Sequence, residues 1–189
     1  QAATNNITLG RNGSKIKGSC CDATMGTNRG GLRLVYSGSS QGWITATAGN
    51  DETASQNKFV TATGGNAVIT DGNFKTHVFT ADGNFVVSCA GNPGGSTTVS
   101  YVVIAGGGGG GGSNHGSGGG AGGFREGKSS DDTYTASPLN APAGLSVSAQ
   151  TYPITVGGGG TGNYPGTGSA GSNSIFSTIT SAGGGLGTT

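Results

Sequence analysis

Apolar and polar residues alternate in short runs along the first third of the chain. Ile7 and Leu9 flank Thr8, the period of two that suits a strand with one covered face. Arg11-Asn12-Gly13-Ser14 follows, and its Asn-Gly pair supplies the left-handed residues of a tight turn. The next alternating run is Leu32-Arg33-Leu34-Val35-Tyr36, and Ser37 to Gly42 turns the chain before Trp43-Ile44-Thr45-Ala46-Thr47. No stretch carries the 3.6-residue period of an amphipathic helix. Residues 1–64 therefore read as a small β module with too little bulky side chain to bury a core alone.

Residues 66–105 give the strongest strand signals. Ala67 to Thr70, Phe74 to Thr80, Phe85 to Cys89 and Thr97 to Ala105 are rich in β-branched and aromatic residues. Asp71-Gly72-Asn73 and Asp82-Gly83-Asn84 are hairpin signals, and Asn92-Pro93-Gly94-Gly95 closes the third run. The expectation is a four-strand antiparallel meander, with Lys75, His77 and Phe79 on one face of its second strand.

Beyond Ala105 the pattern changes to glycine. The tracts are Gly106 to Gly112, Gly118 to Gly123 around Ala121, Gly157 to Gly160, and Gly183 to Gly187 around Leu186. Ordering each glycine backbone costs about 1 to 2 kcal/mol, so such tracts order only if packing offsets that cost. Polyproline-II helices without side chains approach closely enough to exchange N–H···O=C and Cα–H···O=C bonds. A flexible Gly/Ser linker is the rival reading. Strand-like runs at Tyr101 to Ile104, Tyr152 to Val156 and Ile175 to Ile179 abut the tracts, which favours order. The fold class expected is all-β, with short antiparallel strands and hairpins in a small sandwich or meander. Glycine-rich, polyproline-II-like tracts pack against them, helix is essentially absent, and 65–189 forms a glycine-rich second domain.

Two resemblances attach to these residues. The order N-I-T-L, R-N-G-x-x-I, L-V-Y and G-W over Asn5 to Ile44 resembles a module that recurs in bacteriophage tail fibres and related virion structural proteins. Its members form intertwined or side-by-side trimers, which implies a homotrimer here. From Phe74 through the glycine tracts, "HVFTADGNFVVSC", "VSYVVIAGGGGGGG" and "SNSIFSTITSAGGGLG" resemble the glycine-rich domain found at the ends of many phage tail fibres and virion proteins.

Composition narrows the function. Of 189 residues 43 are Gly, with 31% hydrophobic, 9% charged and a formal net charge of +1, which is not the composition of an ordinary globular enzyme. Lys and Arg are scattered singly, so no basic patch favours nucleic acid or an anionic membrane. The longest apolar stretch, Val99 to Ala105, is interrupted by Ser100 and is too short to span a bilayer. No signal peptide is recognised. The start at Gln1 and the stop at Thr189 suggest a piece or processed product of something longer. Cys20, Cys21 and Cys89 lack metal-site spacing, and the expectation is buried free thiols in a protein assembled in a reducing cytoplasm. Cys20 pairing with its neighbour Cys21 is the alternative.

Gly122 to Ser129 matches the phosphate-loop pattern GxxxxGK[ST]. A glycine tract replaces the strand that should precede it, and Ser130 to Pro138 is a poor start for the helix that should follow. Asp51-Glu52 and Asp131-Asp132 are adjacent acids in polar stretches, and His77 and His115 stand apart. No catalytic, metal or cofactor-binding residue is assigned. Contact chemistry remains. Residues 113–117, 124–140 and 162–173 are polar excursions between tracts, where His115, Phe124, Arg125, Tyr134 and Tyr164 are of the types that touch a receptor or sugar.

The function expected is a non-enzymatic structural part of a phage virion appendage, a fibre or adhesin at the particle surface, serving assembly and host attachment. Its partners would be itself as a homotrimer, other virion structural proteins, and a host surface glycan or outer-membrane protein. Nucleic acid and membrane insertion are not expected. A secreted bacterial surface or matrix adhesin is the alternative, and a capsid-surface decoration fibre the second alternative.

Overall fold

A computed structural model describes residues 7–19, 21–25, 32–46, 55–56, 59–92, 95–113 and 115–189. Cys20, the Asp51-Glu52 pair, Pro93-Gly94 and Asn114 lie outside the described residues, which are all β and irregular structure with no α-helix. Two compact units are present: residues 1–62, 87–97 and 147–149 form the first, and residues 63–86, 98–146 and 150–189 the second.

In the first unit β1 (Ile7–Leu9) pairs antiparallel with β2 (Ala23–Met25), with Leu9 opposite Ala23. β3 (Leu34–Tyr36) and β4 (Trp43–Thr45) form a hairpin that sets Tyr36 opposite Trp43, edge to face at 5.4 Å. β5 (Ser55–Gln56) lies on the other side of β2. The Asn-Gly turn forms as the sequence suggests. Asn12 and Gly13 are left-handed at φ 44° and 83°, and the Ser14 N–H donates to Arg11 O at 2.9 Å. Buried Ile16 and Ala23 form one core cluster, with Leu9 and Leu32 packed against them.

Gly42 joins the pieces. Its φ is +68°, the next residue, Trp43, donates its N–H to Lys15 O at 2.8 Å, and a Cβ at position 42 would sit 1.9 Å from that oxygen. Gly42→Ala therefore combines a left-handed strain with a backbone clash and should destabilise this unit by about 2 to 4 kcal/mol. Trp43 is the only tryptophan, so its fluorescence during urea unfolding reports the loss; an unshifted midpoint would contradict the packing described.

The free-thiol expectation is corrected. Cys21 and Cys89 are joined in a disulfide, with Cα atoms 5.0 Å apart and both residues buried. Their pairing spans 68 residues, so no local spacing announces it. In β9 (Gly83–Ala90) the residues Phe85, Val87 and Cys89 alternate to the buried face, and that alternation brings the thiol inward.

The second unit also departs from the meander. Before β9 the chain runs through β6 (Val60–Thr63), β7 (Ala67–Asp71) and β8 (Phe74–Val78). β7 and β8 form the expected hairpin around Gly72-Asn73, but they constitute a separate two-stranded sheet. The Asn66 carboxamide oxygen accepts the Thr80 and Ala81 N–H groups at 2.8 and 3.3 Å, and the chain does not return along β8. Gly83 and Asn84 begin β9 rather than turning, while the Asp82 carboxylate accepts the Val156 N–H at 2.8 Å.

The run from Thr97 splits at Ser100 into β10 (Thr98–Val99) and β11 (Tyr101–Ile104). Their partners are distant: β11 pairs with β12 (Phe124–Gly127), and β10 with β13 (Leu145–Ser146). β14 (Thr151–Thr155), β15 (Ser174–Phe176) and β16 (Ile179–Ser181) complete a five-stranded sheet in the order β16-β15-β14-β9-β6. Phe176 gathers Phe85, Tyr101 and Tyr152 edge to face at 6.0, 6.4 and 6.1 Å, the geometry that aromatic quadrupoles favour.

Five glycine-rich segments complete the unit. Residues 105–112 form segment I, 117–123 segment II, 157–163 segment III, 166–172 segment IV and 182–188 segment V, all outside the strands. Their hydrogen bonds repeat every third residue. Ala105, Gly108 and Gly111 donate to Gly123, Gly120 and Ser117 of II at 2.9, 2.8 and 3.0 Å. Gly106, Gly109 and Gly112 donate to Ser172, Ser169 and Gly166 of IV at 3.1, 2.8 and 2.8 Å. In return Gly160 and Asn163 of III donate to Gly107 and Gly110, and Gly184 and Gly187 of V donate to Gly106 and Gly109. Around this hub, II bonds V, V bonds IV, and IV bonds III.

Bonding that turns with a three-residue period, always to neighbours and never within a segment, is that of polyproline-II helices. Seven residues at 3.1 Å each make a bundle about 20 Å long. Its side-chain rule follows from the spacing. A Cβ on Gly106, Gly108 or Gly109 would lie 2.0, 1.9 and 2.1 Å from a neighbouring carbonyl oxygen. Ala121 shares its row with Gly118, Thr161 with Gly158, and Ala182 and Thr188 with Gly185, where a Cβ meets nothing within 4 Å. These four substituted positions are outward ones.

Candidate functional site

Strands anchor every segment at one end of the bundle. β11 runs into I, II into β12, β14 into III, IV into β15, and β16 into V. Segments I, III and V therefore run outward, while II and IV return. The far end carries the loop 113–116 between I and II, the turn 163–165 between III and IV, and Thr188 at the end of V. Hydrogen bonds hold these together: the Ser117 N–H and Oγ both donate to Thr188 O, at 2.9 and 3.1 Å, and Gly112 and Gly166 exchange bonds of 2.8 Å.

This arrangement brings His115 and Tyr164 to the same end of the bundle. Both are exposed, Tyr164 to 77%, and the His115 N–H donates to Ser113 Oγ at 3.2 Å. Tyr164 precedes a cis peptide to Pro165, and its ring lies against the backbone of Gly112, where a Cβ would sit 2.6 Å from Cδ2. An aromatic face, an imidazole and hydroxyls thus stand on a support of backbone, presented outward.

The other three candidates lie at the strand end. Phe124 is exposed on β12 opposite Ile104, with Val102 on the same face of β11. Arg125 is exposed and its Nη1 donates to Phe124 O at 3.4 Å. Tyr134 stands over Lys128, whose Nζ is 5.4 Å from the ring centroid. Partial burial, and then its hydrogen bond to the Glu126 carboxylate with the negative charge of Glu126 and Asp132, raises the Tyr134 phenol above its usual 10.0. Sequence reasoning passed over Glu126. It is buried, accepts the Ser137 N–H at 2.8 Å, and pins residues 134–137 over β12; an acid inside a polar excursion gives no sign of this.

Two of the three excursions are therefore not simple loops. Residues 124–127 are strand β12, and residues 166–172 are segment IV, whose Gly168 and Gly171 face the hub with Cβ positions 2.2 and 2.1 Å from Gly109 O and Gly106 O. The phosphate-loop match is also otherwise engaged. Its Gly123 N–H donates to Ala182 O at 2.7 Å, and its middle is paired with β11. Lys128 and Ser129 line a shallow cleft of about 340 Å³ with Thr98, Asn140 and Gly144.

Residues 79–189 match the family model described as a glycine-rich domain. No curated protein and no solved structure matches the chain.

Proposed function

The chain belongs to the glycine-rich domain family, and we propose that it is a structural, non-enzymatic part of a phage virion appendage, a fibre or adhesin that presents contact loops at the free end of a backbone-packed bundle. The observation that carries this reading is the separation of anchor from tip. Five strands root the bundle at one end, and His115 and Tyr164 emerge together at the other. A support made of backbone fixes where the loops leave it, so their residues can vary without refolding it. In this reading the chain assembles as a homotrimer, joins other virion structural proteins, and touches a host surface glycan or outer-membrane protein.

Substituting both His115→Ala and Tyr164→Ala should leave particles assembled and reduce their adsorption to host cells at least tenfold. Truncation of a central aromatic anchor commonly removes 2 kcal/mol or more of binding. Normal adsorption by the double variant would place receptor contact elsewhere.

One observation favours the secreted surface adhesin as a second reading. The Cys21–Cys89 disulfide is a bond of oxidising compartments and rare in a reducing cytoplasm.

A further inference from the structure

The hub of the bundle has two unused rows of backbone groups. Successive residues of a threefold helix point 120° apart, so segment I has three donor rows and three acceptor rows. Donor row 105/108/111 meets II and row 106/109/112 meets IV. The N–H groups of the third row, Gly107 and Gly110, have no partner among the described residues. Of the acceptors, row 106/109 serves V and row 107/110 serves III, while the carbonyls of Ala105, Gly108 and Gly111 accept no N–H among the described residues. The neighbours of I follow one another as II, V, IV and III, so both unused rows fall in the gap between III and II. That gap is one open face, the row of segments III, I and II.

This face is glycine where the chain itself does not require glycine. A Cβ on Gly107 would come no nearer than 3.6 Å to another atom, and one on Gly110, Gly159 or Gly162 no nearer than 3.4, 3.7 or 3.5 Å. These are ordinary or nearly ordinary contacts, unlike the 1.9 to 2.1 Å at Gly106, Gly108 and Gly109. Gly107, Gly159 and Gly162 are also exposed. Bare backbone on an exposed face raises the entropy cost of folding without any gain within one chain. Residues 105–123, 157–173 and 182–189 contain no Lys, Arg, Asp or Glu, so two such faces meet without charge repulsion.

We propose that the open face of segments III, I and II is a contact surface between copies of this chain. A second copy brings both of the things the gap lacks: carbonyls in a three-residue row for Gly107 and Gly110, and N–H groups for Ala105, Gly108 and Gly111. At Gly107, Gly110, Gly159 and Gly162 it also has no Cβ atom to hold two backbones apart, so the copies exchange there the same bonds that join segments within the bundle. The proposal rests on the self-association in the functional reading above and gives it a location; it requires a second copy, whatever the number of copies in the assembly.

The test is light scattering on the purified chain and on the double variant Gly159→Glu/Gly162→Glu, with circular dichroism and thermal unfolding as the control for folding. The wild-type chain should self-associate, and the glutamates, placed where there is room for a side chain, should leave the fold intact and raise the dissociation constant at least a hundredfold. The milder pair Gly107→Ala/Gly159→Ala separates loss of contact from loss of fold: it should melt like the wild type and associate at least tenfold more weakly. Wild-type protein that stays monomeric at high micromolar concentration, or folded variants that associate as tightly as wild type, would overturn the proposal. Adsorption measured on His115 and Tyr164 variants is unaffected by either result, so a failure here is distinct from a failure of the attachment reading.

Discussion

Gly109→Val will unfold the bundle, while Gly118→Ala will leave it intact or slightly strengthen it. Gly109 is buried in the hub, and its Cβ would lie 2.1 Å from Thr161 O and 2.2 Å from Thr161 C. Backbone held by its own hydrogen bonds cannot yield by an ångström without breaking them. The neighbouring bonds at stake are Gly109 to Ser169, Gly160 to Gly107 and Asn163 to Gly110. Overpacking of a close contact costs about 1 to 3 kcal/mol, and more where the surroundings are rigid; a branched side chain among backbone segments belongs at or beyond the upper end, as glycine replacement does in collagen. At Gly118 a Cβ meets nothing within 4 Å, and removing a glycine's freedom from the unfolded chain stabilises by about 0.4 to 1 kcal/mol. Thermal unfolding of the two variants beside the wild type reads the contrast. Equal melting of all three would mean that the tracts are a linker.

Reduction of the disulfide should loosen the first unit far more than the second. Cys21 and Cys89 both lie in the first unit, where the disulfide is buried along with Ile16, Ala23, Ala62, Val87 and Val147 among the described residues. Opening a loop of 68 residues restores chain entropy to the unfolded state worth about 4 kcal/mol, a large part of the stability of a unit this size. Cys21→Ser/Cys89→Ser, or dithiothreitol on the native chain, should therefore make the Trp43 region susceptible to protease at temperatures where residues 98–189 stay resistant. Equal resistance of the first unit with and without reductant would show that its packing suffices.

How far the residues foretell this molecule depends on the range of the interaction. Turns made by adjacent residues were legible: Asn12-Gly13 and Gly72-Asn73 fall where the Asn and Gly signals put them. Pairings between distant residues were not. Strand β9 takes β14 as its neighbour because the chain leaves through a bundle and comes back, and nothing in Phe85 to Cys89 records that detour. The disulfide was hidden for the same reason.

The glycine tracts were half legible. Their abutment on strands pointed to order, but the assignment of rows needs the neighbours. Gly168 and Gly171 in Pro165-Gly-Thr-Gly-Ser-Ala-Gly-Ser carry a period of three that marks segment IV as packed on one side, while the polar residues between them suggest a loop. For the candidate contact residues, type alone put His115, Tyr164, Phe124, Arg125 and Tyr134 together. Only the direction of the segments separates the first two, at the tip, from the other three, at the strand end.

Amide hydrogen exchange of the glycine tracts, resolved residue by residue by NMR at a concentration where the chain is monomeric, tests the bundle most directly. Hydrogen bonds that repeat every third residue predict slow exchange at Gly106, Gly108, Gly109 and Gly111, and fast exchange at Gly107 and Gly110, within one unbroken run of glycine. Uniformly fast exchange from Gly106 to Gly112, at the rate of an unstructured glycine linker, would contradict the account.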